Sequence, residues 1–121
     1  LESLLVESLT SARAYGVEDR VIASLHETFP ELDWEKLASY MVSRTALHGK
    51  RRAEEMREVA VTVREAGLDP WMASATAERQ DWMAREKEPA GLAQVRKDAN
   101  WREYADRLLA AVAARRKSAA D

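Results

Sequence analysis

Apolar residues recur every three or four positions along most of the chain, which is the spacing of amphipathic α-helices. Glycine and proline divide this pattern, since Gly16, Pro30 and Gly67 each lie just beyond one apolar segment and Pro70 opens the next. We therefore expect helices over about 1–15, 18–28, 33–66 and 69–84, and a fifth from about 100 onwards. The content of 22 alanines against 4 glycines and 3 prolines favours the same all-helical structure.

The predicted fold is one all-α domain spanning all 121 residues, a bundle of about five helices with one long central helix. Asp33 is a suitable N-cap for the central helix and Gly67 a suitable terminator, so it covers about 34 residues, or ~50 Å. The segment Val59–Val63 is rich in β-branched residues, but strong helix formers flank it and a lone strand would have no partner. Residues 85–99 are expected to be a charged linker, and the segment from Ala110 to Asp121 is expected to fray.

The fourth helix is expected to begin with Asp69 as its N-cap and Pro70 in its first position. Its buried side is expected to carry four apolar residues: Met72, Ala75, Trp82 and Met83. The first and last helices have apolar faces, built on Leu1, Leu5 and Leu9 and on Trp101, Tyr104 and Leu108. Because these faces exceed the needs of one short bundle, we expect a homodimer.

The central helix contains the pattern that points most directly to a binding site. Its apolar stripe begins at Trp34 and resumes at Met56, and polar residues interrupt it between these points. The interruption includes Arg44 and the candidate substrate-binding residues His48, Arg51, Arg52 and Glu55. Such a helix is either bent, here at Gly49, or lines a polar cavity.

These polar residues have two interpretations. In the functional one, His48, Arg51 and Arg52 form an anion site, because guanidinium groups bind carboxylate or phosphate in a planar fork. In the structural one, Arg51 pairs with Glu55 one turn along the helix and Arg52 extends into solvent. Residue types alone favour the structural interpretation, since most charged runs are solvated helix faces.

Composition excludes several classes of function. The 19 basic and 21 acidic residues give a net charge of −2, which argues against a nucleic acid or an anionic membrane as the main partner. No apolar run reaches the roughly 18 residues of a membrane span. The sequence has no cysteine and two histidines, so we expect neither a disulfide nor a metal site, and a cytoplasmic protein. It contains no glycine-rich nucleotide-binding motif, and we identify no catalytic residue in it.

Three segments, 12–18, 48–56 and 65–70, carry a family resemblance. They resemble the C-terminal helical domain of NAD(P)-binding, 6-phosphogluconate dehydrogenase-like proteins, within the wider 3-hydroxyacid dehydrogenase group. The resemblance covers roughly residues 1–83. It favours the functional interpretation of the polar residues in the central helix.

The resemblance implies that this chain is the C-terminal part of a longer, two-domain protein. An upstream Rossmann domain would bind NAD or NADP, and this domain would close over an anionic substrate and form a dimer. The first lysine is Lys36, so the family's catalytic lysine is expected upstream of Leu1, where the first helix lacks a capping residue. The family's Lys-Asp pair is replaced by Glu54-Glu55, so that pair's role is not transferred.

The expected function is therefore that of a substrate-binding and dimerisation domain of an NAD(P)-dependent oxidoreductase acting on a hydroxy acid. By itself the chain is expected to be inactive, because the nicotinamide is bound by the other domain. The alternative is a stand-alone helical module that binds a protein partner through its tryptophan-bearing faces. The enzyme requires a nucleotide-binding domain and a lysine upstream, whereas the module requires neither.

Overall fold

The computed structural model describes residues 1–120, which form an all-helical bundle. The helices are α1 (Glu2–Ala14), α2 (Glu18–Thr28), α3 (Trp34–Glu65), α4 (Trp71–Glu86) and α5 (Trp101–Ala120), with a short 3₁₀ helix (Leu92–Gln94) before α5. The predicted fold of five helices with one long central helix is confirmed. The segment 59–63 is helical, as its flanking residues predict.

The ends of α3 show why local sequence predicted the helix boundaries so closely. Asp33 is the N-cap, and its Oδ1 accepts a hydrogen bond of 3.1 Å from the backbone N–H of Lys36. At the other end Gly67 has φ of +90°, a value that favours glycine. This turn lets the N–H of Leu68 donate to the carbonyl oxygen of Val63 at 3.2 Å, which satisfies the last turn of the helix.

Helix α4 departs from the prediction in its start and in its buried face. Pro70 is the N-cap with φ −86° and ψ 48°, so the helix begins at Trp71 and Asp69 does not cap it. Met72 and Ala75 are exposed and Trp82 is half-buried, whereas Met83 lies in the core. The side that faces the rest of the bundle is instead lined by Ala73, Ala77, Gln80, Met83 and Glu86.

Small residues line part of the contact between α3 and α4 because the two helices lie very close together there. They are antiparallel, and a Cβ added to Gly49 would lie 2.6 Å from the carbonyl oxygen of Gln80 and 3.3 Å from the backbone nitrogen of Ala84. Beyond this crossing, the buried residues are alanines: Ala53 and Ala60 on α3, and Ala73 and Ala77 on α4. Large side chains are consequently displaced to the outside, and Val59, which follows the point where the apolar stripe of α3 resumes, is exposed.

The main core lies where α1, the first half of α3 and α5 meet. Its largest fully buried side chains include Val6, Leu9, Met83, Trp101 and Leu108. The apolar faces of α1 and α5 thus cover each other within one chain, although Leu1 is exposed. The surplus apolar surface on which the homodimer was predicted is therefore absent from these two faces within residues 1–120.

The segment 85–99 packs against the bundle. Its first two residues belong to α4, and Ala90, Leu92 and Val95 are buried in the core. Arg107 of α5 secures it by donating from Nη1 to the carbonyl oxygen of Gly91 at 3.1 Å. Glu86 is buried and Lys87 is half-buried, whereas the other charged residues of this segment are exposed and its apolar residues anchor it.

The expectation that the end of the chain frays is wrong over the residues described, because α5 remains helical as far as Ala120. Asp121 lies outside the described residues. Arg115 holds this part of α5 to α4, with its Nη2 2.5 and 2.6 Å from the two carboxylate oxygens of buried Glu86. A long-range ion pair thus supports an end that local sequence alone would leave loose.

A second ion-pair network ties the start of α5 to α2 and α3. Arg102 lies 2.8 Å from Glu35 and 2.7 Å from Asp19. Its hydrogen bonds are the main reason that the pKa of Glu35 is lowered from its ordinary value of 4.5. Since the unfolded chain binds the proton more tightly, Glu35 stabilises the fold above about pH 4.5 and this contribution is lost as the pH falls through the lowered pKa.

We expect Glu35→Gln to weaken the dependence of stability on pH below about pH 4.5, because the variant carries no carboxylate there. Urea unfolding at about pH 6 and about pH 3.5 should give a smaller loss of stability in the variant than in the wild type. Glu27→Gln is the control, since Glu27 has no ion-pair partner among residues 1–120. An unchanged difference between the two pH values in Glu35→Gln would contradict the assignment.

Candidate functional site

The helix α3 bends in the middle of its polar segment. His48 has φ −124° and ψ 18°, which are not helical values, and its side chain is exposed. The bend therefore lies one residue before Gly49, the position proposed from sequence. Because helix kinks usually mark an interruption of backbone hydrogen bonding, the bend separates α3 into a half that builds the core and a half that packs on α4.

Arg52, one turn after the bend, binds a carboxylate from another helix. Its Nε and Nη2 donate to Oε2 and Oε1 of Glu2 at 2.8 and 2.6 Å, which is the bidentate geometry of an arginine–carboxylate pair. The contact is partly buried, with 22% of the Arg52 side chain and 15% of the Glu2 side chain exposed. The structural interpretation that sends Arg52 into solvent is therefore wrong.

Arg44, one turn before the bend, approaches the same carboxylate. Its Nε lies 3.7 Å from Oε1 of Glu2, and its Nη1 donates to the hydroxyl oxygen of Tyr40 at 3.0 Å. Residues eight positions apart are ~12 Å apart along a straight helix, so Glu2 lies within reach of two long side chains from the turns on either side of the bend. We call Glu2, Arg44, His48 and Arg52 the arginine cluster.

Arg51 and Glu55 lie outside the arginine cluster. They pair with each other at 2.8 Å, one turn apart on α3, and more than half of each side chain is exposed. The pairing of Arg51 with Glu55 was anticipated from their i, i+4 spacing. Of the four candidate residues, the structure thus joins Arg52 to Glu2 and leaves Arg51 and Glu55 as a separate surface pair. His48 is exposed between Arg44 and Arg52 along α3 and is included in the cluster for that position.

Sequence reasoning missed Glu2, although it is the residue that organises the cluster. Glu2 lies 50 positions before Arg52, and an acidic residue in the first turn of a helix is ordinarily explained by the helix dipole. The neighbouring Ser3 faces the other way, since its Oγ donates to the carbonyl oxygen of Thr76 on α4. The first turn of α1 therefore touches α3 with one residue and α4 with the next.

A cleft of about 530 Å³ between α1 and α4 is a separate feature. Arg79 crosses it to reach Glu7 at 2.6 Å, and its guanidinium carbon lies 4.8 Å from the ring centre of Trp82. This distance is that of a cation–π contact between Arg79 and Trp82. Because Glu7 satisfies the charge of Arg79, this cleft offers mainly apolar surface.

The described residues do not provide a metal site or a membrane-spanning helix. Within residues 1–120, no three acidic or histidine side chains come together as they would around a metal ion. Over the same range, each helix is too short or too polar to cross a bilayer.

Comparison with known proteins places the chain in a family. Residues 12–83, more than half of the chain, match the family described as "Domain of unknown function (DUF1932)". The chain belongs to the DUF1932 family. The part of this DUF1932 domain that matches contains Arg44, His48 and Arg52, whereas Glu2 lies before it.

A solved structure is also similar to this DUF1932 domain. The crystal structure of a conserved hypothetical protein from Sinorhizobium meliloti 1021 shares 36% sequence identity with it, at a TM-score of 0.79. The match covers 91% of this chain and 36% of that one, so this chain spans about a third of the length of its structural relative. No curated protein shows significant similarity to the chain.

Proposed function

We propose that this DUF1932 domain is the C-terminal substrate-binding and dimerisation domain of an NAD(P)-dependent oxidoreductase that acts on a hydroxy acid. The family is known as the C-terminal helical domain of 3-hydroxyacid dehydrogenase-like proteins. About two thirds of the similar Sinorhizobium meliloti protein lies outside the match, which is enough for a nucleotide-binding domain. Both points support the sequence resemblance to 6-phosphogluconate dehydrogenase-like proteins.

The observation that carries the proposal is the bidentate grip of Arg52 on a carboxylate beside a second arginine. A hydroxy acid presents the same carboxylate group, and arginine recognises it through paired N–H donors. Nη1 of Arg52 and Nη2 of Arg44 have no hydrogen-bond partner among residues 1–120. These donors and the exposed ring of His48 are available to a substrate carboxylate.

The roles in this proposal follow from the chemistry of each group. An upstream domain would hold the nicotinamide, which would supply the hydride-transfer chemistry needed at the hydroxyl-bearing carbon of the substrate. Arg44 and Arg52 hold the substrate's carboxylate, and His48 donates a hydrogen bond to it. Arg51 and Glu55, which pair with each other beside Arg52 on α3, would form the outer rim. The catalytic lysine is expected upstream of Leu1, on the segment that precedes α1.

The test is oxidation of hydroxy acids by the full-length protein that contains this domain, with NAD⁺ or NADP⁺ and nicotinamide absorbance as the signal. We expect Arg52→Gln to raise KM for an anionic hydroxy acid at least tenfold, because hydrogen bonds to a charged group contribute about 1.5–3 kcal/mol. Arg51→Gln should raise KM less, because Arg51 already pairs with Glu55. Lys50→Gln, an exposed neighbour on the same helix, controls for the loss of surface charge.

The substrate site and the oxidoreductase function would be contradicted by different results. An Arg52→Gln protein with the KM of the wild type would exclude the arginine cluster as the substrate site. A full-length protein that reduces neither nucleotide with any hydroxy acid would exclude the oxidoreductase function.

The second candidate function is a protein-interaction module. It is favoured by the turn between α3 and α4 and the first residues of α4, where Leu68, Trp71 and Met72 expose most of their surface. Because the apolar faces of α1 and α5 cover each other, they are not available for a homodimer. The apolar surface formed by Leu68, Trp71 and Met72 is the one that supports a homodimer instead. The module would need no nucleotide, so the oxidation assay distinguishes the two functions.

A further inference from the structure

The arginine cluster contains two positive charges and one negative charge, which suits an acid with one carboxylate better than an acid with two. We propose that Glu2 is a specificity-determining residue, which makes the cluster select monoanionic over dianionic carboxylic acids. The inference rests on the proposed function for the hydroxy-acid class of the substrate. The selection by charge follows from the cluster alone.

The first step is the charge count at the cluster. Arg44 and Arg52 bring two positive charges, and the carboxylate of Glu2 neutralises one of them. One added carboxylate makes the cluster neutral. A second carboxylate on the same ligand would lie near Glu2 without a counter-charge, and repulsion between like charges is strong where the site is partly screened from water.

The second step is the number of donors. Arg52 donates from Nε and Nη2 to the two carboxylate oxygens of Glu2, and Arg44 donates from Nη1 to the hydroxyl oxygen of Tyr40. What remains is one edge of each guanidinium group, and one incoming carboxylate held between the two arginines would use donors from both. The second carboxylate of a dianion would then compete with Glu2 for the remaining donors.

The third step is that the backbone of Glu2 is fixed. The next residue, Ser3, is buried and hydrogen-bonded to Thr76, and Leu5 and Val6 belong to the core. An incoming dianion therefore cannot displace the first turn of α1. It can turn the Glu2 side chain away only by breaking a bidentate ion pair that is itself partly buried.

A similar pair on the same helix shows what distinguishes Glu2. Glu7 contacts Arg79 at 2.6 Å, but the Glu7 side chain is mostly exposed and Arg79 is the only arginine within ion-pair distance of it among residues 1–120. That pair is neutral and has no surplus positive charge to attract an anion. Glu7→Gln is consequently a matched control for Glu2→Gln.

The experiment is an NMR titration of this chain with lactate and with malate, which differ by one carboxylate, at constant ionic strength. The Nε–Hε signals of Arg44 and Arg52 report binding at the cluster itself. The wild type should bind lactate more tightly than malate. In Glu2→Gln, malate affinity should rise about tenfold and exceed that of lactate, because the repulsive carboxylate has become a neutral amide. Glu7→Gln should keep the wild-type order.

The inference is overturned if Glu2→Gln keeps the wild-type ratio of lactate to malate affinity, or if the signals of Arg44 and Arg52 respond to neither acid. Melting temperatures of the variants establish that each one is folded. The titration needs no nucleotide, so its failure is distinct from a failure of the oxidoreductase function. In an active full-length protein, the same substitution should shift kcat/KM from monoanionic towards dianionic hydroxy acids.

Discussion

Replacement of Trp101 by alanine is expected to lower the free energy of unfolding by about 3–5 kcal/mol. Trp101 is 1% exposed and opens α5, where its side chain fills the space between α3 and α5. Its indole N–H donates to Glu35 at 3.2 Å, and its backbone N–H donates to Oγ of Ser39 at 3.0 Å. Alanine would leave a large cavity and would remove the indole hydrogen bond, so both losses act in the same direction.

Urea unfolding followed by far-ultraviolet circular dichroism measures this effect independently of the removed fluorophore. Trp71→Ala is the matched control, because Trp71 is the same residue type at a helix start but is 76% exposed. It should change the free energy of unfolding by no more than about 0.5 kcal/mol. Equal losses in the two variants would contradict the core described for α5.

Replacement of Gly49 by alanine is expected to destabilise the protein by about 1–3 kcal/mol, although alanine is the better helix former. The added methyl group would lie 2.6 Å from the carbonyl oxygen of Gln80. That oxygen belongs to the backbone of α4 and cannot turn aside like the end of a side chain. The two helices must separate, and the alanine contacts beyond the crossing loosen with them.

Lys50→Ala is the control for this substitution, since Lys50 is exposed on the next position of the same helix. It should leave the free energy of unfolding within about 0.5 kcal/mol of the wild type. Gly49→Leu should be worse than Gly49→Ala, because a larger side chain requires a wider separation. A Gly49→Ala protein as stable as the wild type would show that α3 and α4 do not approach as closely as described.

The helix boundaries could be predicted because the signals that set them are local. Asp33 lies three residues from the N–H that it caps, and Gly67 adopts its left-handed conformation within the turn that it ends. The start of α4 was missed by one residue for an equally local reason. Pro70 there adopts a non-helical ψ and becomes the cap itself.

The buried face of α4 could not be predicted, because it depends on how closely another helix approaches. An apolar residue such as Met72 or a tryptophan is usually assigned to the core on hydrophobicity. Between α3 and α4, however, the backbones are so close at Gly49 that only small side chains fit. The larger apolar residues are therefore exposed. The pattern of hydrophobic residues in the sequence could not predict the surface that they form.

In the candidate site, too, the local contact could be predicted from sequence and the contact between helices could not. The pair of Arg51 and Glu55 is four residues apart on one helix, so sequence spacing predicted it. The contact of Arg52 with Glu2 joins residues 50 positions apart, and nothing in the spacing of either helix indicates the other. The same holds for Arg115 and Glu86, whose contact keeps the end of α5 in place.

By itself, the sequence determined that the fold is all-α with one long helix and, closely, where most of the helices begin and end. These properties depend on interactions within one or two helical turns. The tertiary structure alone decided that α3 bends at His48, that α4 presents alanines to α3, and that Arg44 and Arg52 share the carboxylate of Glu2. Each of these depends on the distance between separate helices, which side-chain volume and charge pairing set only when the whole chain is folded.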